Sequence, residues 1–377
     1  MMASTTDPGR TVLVTGGTGY LGSWVVARLL ARGYRVRATV RGVGWAGALR
    51  SAVARQAPVD AFTVVAADLL AGDCWDEAMR GVDDVIHVAS PLPGDSAQDI
   101  VSTARTGAHH VIAAAGRAGV GRIVMTSSLA AAATGRGGEL IDENTWSSPT
   151  DSPGDAYARS KTLAERDAWH YAEASGLSLT TILPGWIMGP AIDHAAAGSS
   201  AAMFRQLLAG KMPALPNFGG LIVDVRDIAD LHIQALTAPQ AAGQRLLAVG
   251  EFRWLRDIAL LLRARLGEQA SKVCTRRMPD PVVRLAARFN PDIAYIAASL
   301  RYQPRVDGSK VEQLLDWRTR PAEQTVLDAA NSVLGRLPEE GHPGLTGHAS
   351  DTLQETESAG EPDHRRNIGI PLNPRKA

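Results

Sequence analysis

Apolar runs of strand length alternate with amphipathic stretches of helix length over the first half of the chain. Val12, Leu13 and Val14 form an aliphatic run that suits a strand buried on both faces. Residues 20–32 then change to helical spacing and end before Gly33. The alternation recurs, with predicted strands at 62–68, 84–90, 121–128 and 179–183 and predicted helices at 46–55, 75–81, 97–118 and 155–175. This order predicts an α/β fold with a doubly wound parallel sheet.

The alternation weakens after residue 185. An apolar run at residues 221–225 is expected to return to the sheet as a strand, with a helix at residues 228–236 beside it. We therefore predict a sheet domain of residues 10–185 and 221–249, a smaller and mostly helical lobe of residues 186–220 and 250–338, and disordered termini at residues 1–9 and 341–377.

Glycines mark the junction between the first predicted strand and the first predicted helix. Gly16, Gly19 and Gly22 stand three residues apart. Glycine at such a junction lets the chain turn tightly, lets the backbone approach a pyrophosphate and lets the helix pack close to the sheet. The predicted helix begins at Tyr20, and the backbone N–H groups of its first turn, which includes Leu21, are directed towards the phosphates. The pattern predicts a dinucleotide site, and a glycine turn without a ligand is the less favoured interpretation.

Composition and charge exclude several classes of protein. The 377 residues are 45% hydrophobic and 21% charged, and the formal net charge is zero, so nothing favours a nucleic acid or an anionic membrane as partner. No apolar run is long enough to span a bilayer or to form a signal core. The two cysteines, Cys74 and Cys274, are far apart and indicate no disulfide framework. We expect a soluble, cytoplasmic protein.

Two further groups of polar residues are interpreted as structural. The histidines lack the paired spacing of metal ligands; those considered are His87, His109, His110 and His232. Asp224, Arg226 and Asp227 are expected to form an ion-pair or capping cluster where a strand meets a helix.

A phenol and an ammonium group stand four residues apart near the start of the helix predicted at residues 155–175. Tyr157 and Lys161 therefore lie on one helix face. A nearby cation lowers the pKa of a phenol and lets it exchange a proton with a carbonyl or alcohol oxygen, although a solvent-facing pair is the commoner meaning of this spacing. Ser127 and Ser128 end the preceding strand, where ligands bind in open α/β sheets, and a turn cap is the alternative for either serine.

Several motifs occur in a consistent order: TGGTGYLG (15–22), Asp68-Leu69, HVAS (87–90), TSS (126–128) and YARSK (157–161). Together they resemble the extended short-chain dehydrogenase/reductase family, within the NAD-dependent epimerase/dehydratase family. The branch with dihydroflavonol, cinnamoyl-CoA and aldehyde reductases is similar in ATVR (38–41), VIHVASP (85–91), VDVRDIADLHIQAL (223–236) and LLDWRTRPAE (314–323). The resemblance implies a Rossmann-type fold with a small C-terminal substrate lobe.

The resemblance also implies roles for individual residues. Ser128, Tyr157 and Lys161 would form the catalytic set, and Ser128 is preferred to Ser127 because the family's serine is the last of that strand end. Tyr157 would donate the proton, Ser128 would polarise the substrate oxygen, and Lys161 would lower the pKa of Tyr157 and bind the ribose. The implied cofactor contacts are Gly16, Gly19, Tyr20, Leu21, Gly22, Asp68, Leu69, Val88, Ala89, Ser90, Tyr157, Lys161, Pro184 and Ile187.

The end of the second strand bears on the choice between NAD and NADP. An NAD site usually has a carboxylate there, which accepts hydrogen bonds from the ribose hydroxyls. This chain has Val40 followed by Arg41, and a guanidinium pairs with a 2′-phosphate in bidentate fashion. We therefore predict NADP(H) rather than NAD(H). Relatives often have a lysine seven residues further on, where this chain has Ala48, and Arg50 is a candidate substitute.

Two departures from the family pattern narrow the substrate. Thr106 stands where relatives often carry an asparagine that positions a proton-relay water, and Ala133 stands where plant flavonoid reductases carry another asparagine. A dihydroflavonol substrate is therefore not expected. The lobe offers apolar side chains that suit an apolar aldehyde or ketone: Trp186, Met188, Met203, Phe204, Met212 and Phe218.

The resulting hypothesis is an NADPH-dependent oxidoreductase, monomeric or homodimeric, that reduces a small-molecule aldehyde or ketone by hydride transfer. Two alternatives stay open, an NAD-dependent nucleotide-sugar epimerase or dehydratase and a non-catalytic NADP-sensing regulator. Arg41 argues against the first alternative. The presence of Ser128, Tyr157 and Lys161 argues against the second, because a sensor does not need a proton donor.

Overall fold

A computed structural model places residues 9–91, 100–135, 138–192 and 199–335 in alternating strands and helices. The strands are β1 (Thr11–Thr15), β2 (Arg35–Val40), β3 (Phe62–Ala66), β4 (Asp84–His87), β5 (Arg122–Thr126), β6 (Leu140–Ile141), β7 (Leu179–Pro184), β8 (Trp186–Met188), β9 (Gly219–Asp224), β10 (Arg245–Ala248), β11 (Phe252–Trp254) and β12 (Arg305–Val306). The helices are α1 (Tyr20–Ala31), α2 (Ala46–Ala54), α3 (Cys74–Met79), α4 (Ile100–Ala118), α5 (Ala130–Ala133), α6 (Ala156–Ser175), α7 (Ser199–Leu208), α8 (Val225–Thr237), α9 (Leu255–Leu266), α10 (Asp280–Ala286), α11 (Pro291–Ala298), α12 (Ser309–Leu315) and α13 (Ala322–Val333). The predicted disordered termini lie outside the described residues except for Gly9, as do residues 97–99 of a predicted helix.

The central sheet has seven strands in the order β10-β7-β5-β4-β1-β2-β3. Every registered pair in this sheet is parallel. The chain leaves β1 towards β3 and returns to pair β4 with the other edge of β1, so the strand order reverses between β1 and β4. The predicted doubly wound parallel sheet is confirmed, and such a reversal point opens a crevice where α/β proteins bind ligands.

Helices cover both faces of the central sheet. In β1, Val12 and Val14 pack into a core with α1 and α8, whereas Leu13 faces the opposite core with α4 and α6. All three side chains are fully buried. This burial on two faces explains why the strand is a continuous aliphatic run rather than an alternation of polar and apolar residues.

The strand expected at residues 221–225 belongs to a different sheet from the predicted one. As β9 it pairs with β8 and β11 in a three-stranded sheet, and its Ile222 is buried in a core with Phe204 of α7 and Leu255 of α9. The edge position next to β7 is taken by β10 instead. The four residues of β10 are all buried, which stabilises this pairing. Such a short run carries little periodicity, so the sequence did not distinguish the two strands.

The ion-pair cluster predicted where β9 meets α8 is confirmed. Asp224 is fully buried and caps α8 by accepting from the backbone N–H of Arg226 at 2.9 Å. The guanidinium of Arg226 also donates to Asp224 at 2.8 Å and to Asp328 of α13 at 2.5 Å. Asp227 accepts from the backbone N–H of Arg320 at 2.7 Å. The cluster is satisfied within the protein and ties α8 to the C-terminal segment.

The parallel strands gather the sequence motifs along their carboxyl ends. Gly16 follows β1, Val88 follows β4, Ser127 follows β5 and Pro184 ends β7. Thr15 holds two of these ends together, because its hydroxyl accepts from the backbone N–H groups of Val88 and Ala89, each at 3.0 Å. The sheet therefore positions all of the candidate chemistry on one edge.

Candidate active site

A cavity of about 1700 Å³ follows this carboxyl edge. It is larger than the ~300–1,000 Å³ of a site for one drug-sized ligand, so a dinucleotide and a second molecule have room. Of the predicted catalytic and cofactor-binding residues, Gly22 alone does not line the cavity. The predicted residues that do are Gly16, Gly19, Tyr20, Leu21, Arg41, Asp68, Leu69, Val88, Ala89, Ser90, Ser128, Tyr157, Lys161, Pro184 and Ile187.

The glycine turn has the geometry that a pyrophosphate needs. Gly16 has a φ of +69°, a conformation that other residues rarely adopt. A Cβ at Gly22 would lie 2.2 Å from the Gly16 carbonyl oxygen, so Gly22 lets α1 pack onto the turn rather than facing a ligand. A Cβ at Gly19 would lie 3.1 Å from the same oxygen and would otherwise occupy open space. The turn is thus a cradle that side chains would fill.

The first turn of α1 is available to an anion. Among the described residues no side chain caps this turn, whose N-cap is Gly19. Its N–H groups and the positive end of the helix dipole suit a phosphate. Tyr20 is fixed beside it, since its hydroxyl donates to the Gly189 carbonyl at 2.5 Å. The residues present therefore fit a dinucleotide, which would lie along this turn.

The far end of the cavity combines a cation with exposed apolar groups. Arg41 is exposed there, and none of the described carboxylates forms an ion pair with it. Asp68 and Leu69, on the loop after β3, also line the cavity. Trp45, with 56% of its surface exposed, also lines this end and was missed in the sequence analysis. The available signal was a large aromatic residue four positions after Arg41, in the segment that follows β2.

Arg50 is held away from this end of the cavity. Its guanidinium donates to the carbonyl oxygens of Val59 at 2.9 Å and Phe62 at 2.5 Å. It does not line the cavity, whereas Ala48 does. The suggestion that Arg50 substitutes for the missing lysine is therefore not supported, and Arg41 is the cation at this position.

The two serines after β5 point to different partners. Ser127 is buried and its hydroxyl donates to Glu165 at 2.6 Å. Ser128 lines the cavity together with Tyr157, and its side chain lowers the pKa of the Tyr157 phenol. Ser128 also accepts from the backbone N–H of Ala130 at 3.2 Å, so it caps the short α5 as well. Ser128 is thus the serine placed to act together with Tyr157.

Lys161 lies one turn along α6 from Tyr157, with its Nζ 5.8 Å from the centre of the Tyr157 ring. Burial lowers the pKa of Lys161 to about 8, against an opposing contribution from Glu165. Burial raises the pKa of Tyr157 above its ordinary value, and Ser128 lowers it by a smaller amount. The net rise is opposite to the lowering by Lys161 that the sequence predicts. The sequence could not indicate how strongly the cavity desolvates the phenol.

Aromatic side chains form one wall of the cavity. The ring of Tyr295, on α11, packs edge-on against Tyr157 with centroids 5.9 Å apart, and Phe218 packs against Tyr295 and Trp186. Met203 and Met212 line the same part of the cavity. Two other residues predicted here, Met188 and Phe204, are fully buried in the lobe core. Tyr295 was missed because its contact with Tyr157 joins residues that are far apart in sequence.

The two departures from the family pattern take different positions. Ala133 lines the cavity, and its carbonyl oxygen accepts from the Tyr302 hydroxyl at 3.3 Å. Thr106 lies on α4 outside the cavity wall, although Thr103, one turn earlier, lines it.

The described ranges contain neither a cluster of metal ligands nor a helix able to span a membrane. No group of three or more candidate ligands could hold a metal ion there. Burial lowers the pKa of His87 to about 3 and that of His232 to about 4, so both rings are neutral. Of the helices in those ranges, none is long and apolar enough to cross a bilayer.

A doubly wound sheet with a glycine cradle and a Ser–Tyr–Lys set on its carboxyl edge defines a dinucleotide-binding protein of the extended short-chain dehydrogenase/reductase class. Residues 12–250 match the model of the NAD dependent epimerase/dehydratase family. The chain belongs to this family, and the resemblance noted from its motifs is confirmed.

Relatives of the chain include reductases from plants and fungi. Cinnamoyl-CoA reductase 2 of Arabidopsis thaliana is 36% identical over 64% of this chain and 73% of the relative. Ketoreductase adrE of Penicillium roqueforti is 34% identical over 68% of this chain and 81% of the relative. Yeast methylglyoxal/isovaleraldehyde reductase Gre2, solved with NADPH, has the same fold, with a TM-score of 0.72 over 86% of this chain and 98% of that protein at 23% identity.

Proposed function

We propose that the protein is an NADPH-dependent reductase that converts an apolar aldehyde or ketone to an alcohol. The observation that carries this proposal is that Ser128, Tyr157 and Lys161 line one cavity, which continues to the glycine cradle. Membership of the family and its similarity to several reductases support the reaction class.

The dinucleotide would be held at three places along the cavity. Its pyrophosphate suits the cradle of Gly16 and Gly19, and the 2′-phosphate of NADPH suits Arg41, because an arginine fork matches phosphate geometry. Bound NADPH supplies the hydride for the carbonyl carbon. Lys161 would hold the nicotinamide ribose as a cation.

The side chains of the protein would supply the proton and the polarisation. Tyr157 donates its phenolic proton to the carbonyl oxygen as negative charge develops there, and Ser128 donates a hydrogen bond to the same oxygen. The raised pKa of Tyr157 keeps its proton in place near neutral pH, ready for reduction. The aromatic wall of Tyr295, Phe218 and Trp186 would contact the apolar part of the substrate.

Binding of NADPH is expected to weaken as the pH rises through about 8, the pKa of Lys161. Below this value the ammonium group is charged and can donate to the ribose, and above it the charge is lost. The dissociation constant, measured by fluorescence titration across this range, checks the prediction. Lys161→Met should bind NADPH more weakly without this dependence. A wild-type affinity that stayed constant through the range would contradict the assignment.

Replacing Tyr295 by Ala is expected to raise KM for an aromatic aldehyde about tenfold, because stacked rings contribute ~0.5–1.5 kcal/mol beyond the area that they bury. The KM for a two- or three-carbon aldehyde should change much less, since such a substrate is too small to cover the wall. Steady-state kinetics with benzaldehyde and propanal test this contrast. Equal losses for both substrates would indicate a general disturbance of the site instead.

The proposed function is tested by the oxidation of NADPH and NADH with a panel of aldehydes, ketones and 1,2-dicarbonyls. Turnover with NADPH well above NADH supports the reductase. Tight NADP binding without turnover of any carbonyl would favour the sensor, and NAD retained through purification would favour a nucleotide-sugar enzyme.

A further inference from the structure

A fully buried carboxylate lies next to the candidate catalytic residues. Glu165 is on α6, one turn beyond Lys161 and two turns beyond Tyr157, so the three residues share one helix face. Glu165 does not line the cavity and was not among the predicted site residues. The sequence does carry a signal for it, since Glu165 follows Lys161 by four residues, as Lys161 follows Tyr157.

Glu165 receives hydrogen bonds from three strands of the central sheet. The Ser127 hydroxyl, directly after β5, donates to the Glu165 carboxylate at 2.6 Å. The Thr181 hydroxyl, on β7, donates to it at 2.8 Å. The Nε of Arg245, on β10, donates at 2.7 Å. Ser128 follows Ser127 directly, so one carboxylate joins the helix of Tyr157 and Lys161 to the strand end of the catalytic serine.

Arg245 is itself held firmly. It is 7% exposed, and its Nη1 donates to the carbonyl oxygens of Glu143 at 3.0 Å and Thr145 at 2.5 Å. Its guanidinium lies 3.7 Å from the centre of the Trp146 ring. Both members of the Glu165–Arg245 pair are therefore held by further hydrogen bonds, which fix the position of the Glu165 carboxylate.

Stability alone gives no reason for this ion pair. Desolvating two charges costs several kcal/mol per ion, and apolar residues of similar volume are often as stable. What an apolar pair cannot supply is negative charge near Lys161. The other titratable groups that face Lys161 are Tyr157 on α6 and His87 on β4, and both are neutral at pH 7.

We infer that Glu165 is a positioning residue of the proposed reductase, which keeps Lys161 cationic and fixes the strand end of Ser128 against α6. The inference rests on the proposed function. Glu165 acts through Lys161 and Ser127 and touches neither substrate nor cofactor. In accordance with this role, Glu165 raises the pKa of Lys161, whereas burial lowers it.

Glu165→Gln tests the inference, since it retains the shape and removes the charge. The pH at which NADPH affinity is half lost should move at least about 1 unit lower, because a nearby opposite charge raises the pKa of an ammonium by this amount or more. The alkaline limb of kcat/KM should move with it. At neutral pH kcat should fall about tenfold, because Ser128 and Tyr157 would no longer be held in their productive relative positions.

Asp328→Asn is the matched control. It makes the same change from acid to amide in another ion pair, with Arg226, and neither residue of that pair lines the cavity. It should lower the melting temperature and leave both pH midpoints in place. If Glu165→Gln does not fold, the double variant Glu165→Leu/Arg245→Met carries the test, because it leaves no charge unpaired and should show the same displaced midpoints.

Midpoints that coincide with those of the wild type in a folded variant overturn the inference, even if stability falls. The proposed function is judged separately, by turnover of the wild type. If the wild type reduces no carbonyl, the proposed function fails, and the midpoint of NADPH affinity still decides whether Glu165 controls the charge of Lys161.

Discussion

Tyr157→Phe should lower kcat for carbonyl reduction by about a thousandfold, within the ~10²–10⁴ range of general acid catalysis. The variant keeps the ring that packs on Tyr295 and loses only the phenolic hydroxyl. The dissociation constant for NADPH should therefore change by less than about threefold. Single-turnover kinetics with saturating NADPH, together with a fluorescence titration, separate the loss of chemistry from the loss of binding.

Tyr171→Phe provides the control for this result. Tyr171 is on the same helix, contacts His109 and lies outside the cavity, so removal of its hydroxyl should leave kcat at the wild-type value. Turnover by Tyr157→Phe at the wild-type rate would refute the proton-donor role. A parallel loss in both variants would point to a damaged helix.

Arg41→Asp should reverse the cofactor preference. A charged hydrogen bond contributes about 1.5–3 kcal/mol, and a carboxylate in its place adds repulsion of the 2′-phosphate. We expect the affinity for NADPH to fall at least about a hundredfold. NADH should bind better than in the wild type, because the aspartate can accept from the free ribose hydroxyls. Dissociation constants for both dinucleotides, measured at one low ionic strength, give the ratio directly.

Arg50→Gln distinguishes a specific contact from a general effect of positive charge. Arg50 is nearby but bonded to backbone carbonyls, so its loss should lower the melting temperature without changing the ratio of NADPH to NADH affinity. Equal shifts in that ratio for both variants would mean that Arg41 makes no direct contact.

The local parts of the fold could be predicted from the sequence. The strand, glycine turn and helix of residues 12–32 follow from periodicity and from the backbone freedom of glycine. Tyr157 and Lys161 follow from helical spacing, and Ser128 from its place at a strand end. The parallel sheet then brings these pieces to one edge without further information, because parallel strands have their carboxyl ends on the same side.

The features that could not be predicted depend on contacts between residues that are far apart in the sequence. Glu165 and Arg245 are 80 positions apart, so neither reveals the other in the sequence. Met188 and Phe204 have the same apolar character as Trp186 and Phe218, and only packing separates core from cavity wall. The pKa of Tyr157 is raised by burial in the cavity, and the cavity wall includes Tyr295, which comes much later in the chain.

The late position of β10 in the chain has a consequence for biosynthesis. The ribosome completes Glu165 long before it makes Arg245, and until then the carboxylate has no cationic partner in the sheet. An unpaired buried charge is strongly unfavourable. We therefore expect the edge of the sheet next to β7 to stay open on the nascent chain until β10 has been synthesised. Although its motifs are made early, the active site should complete its surroundings only after β10 is available.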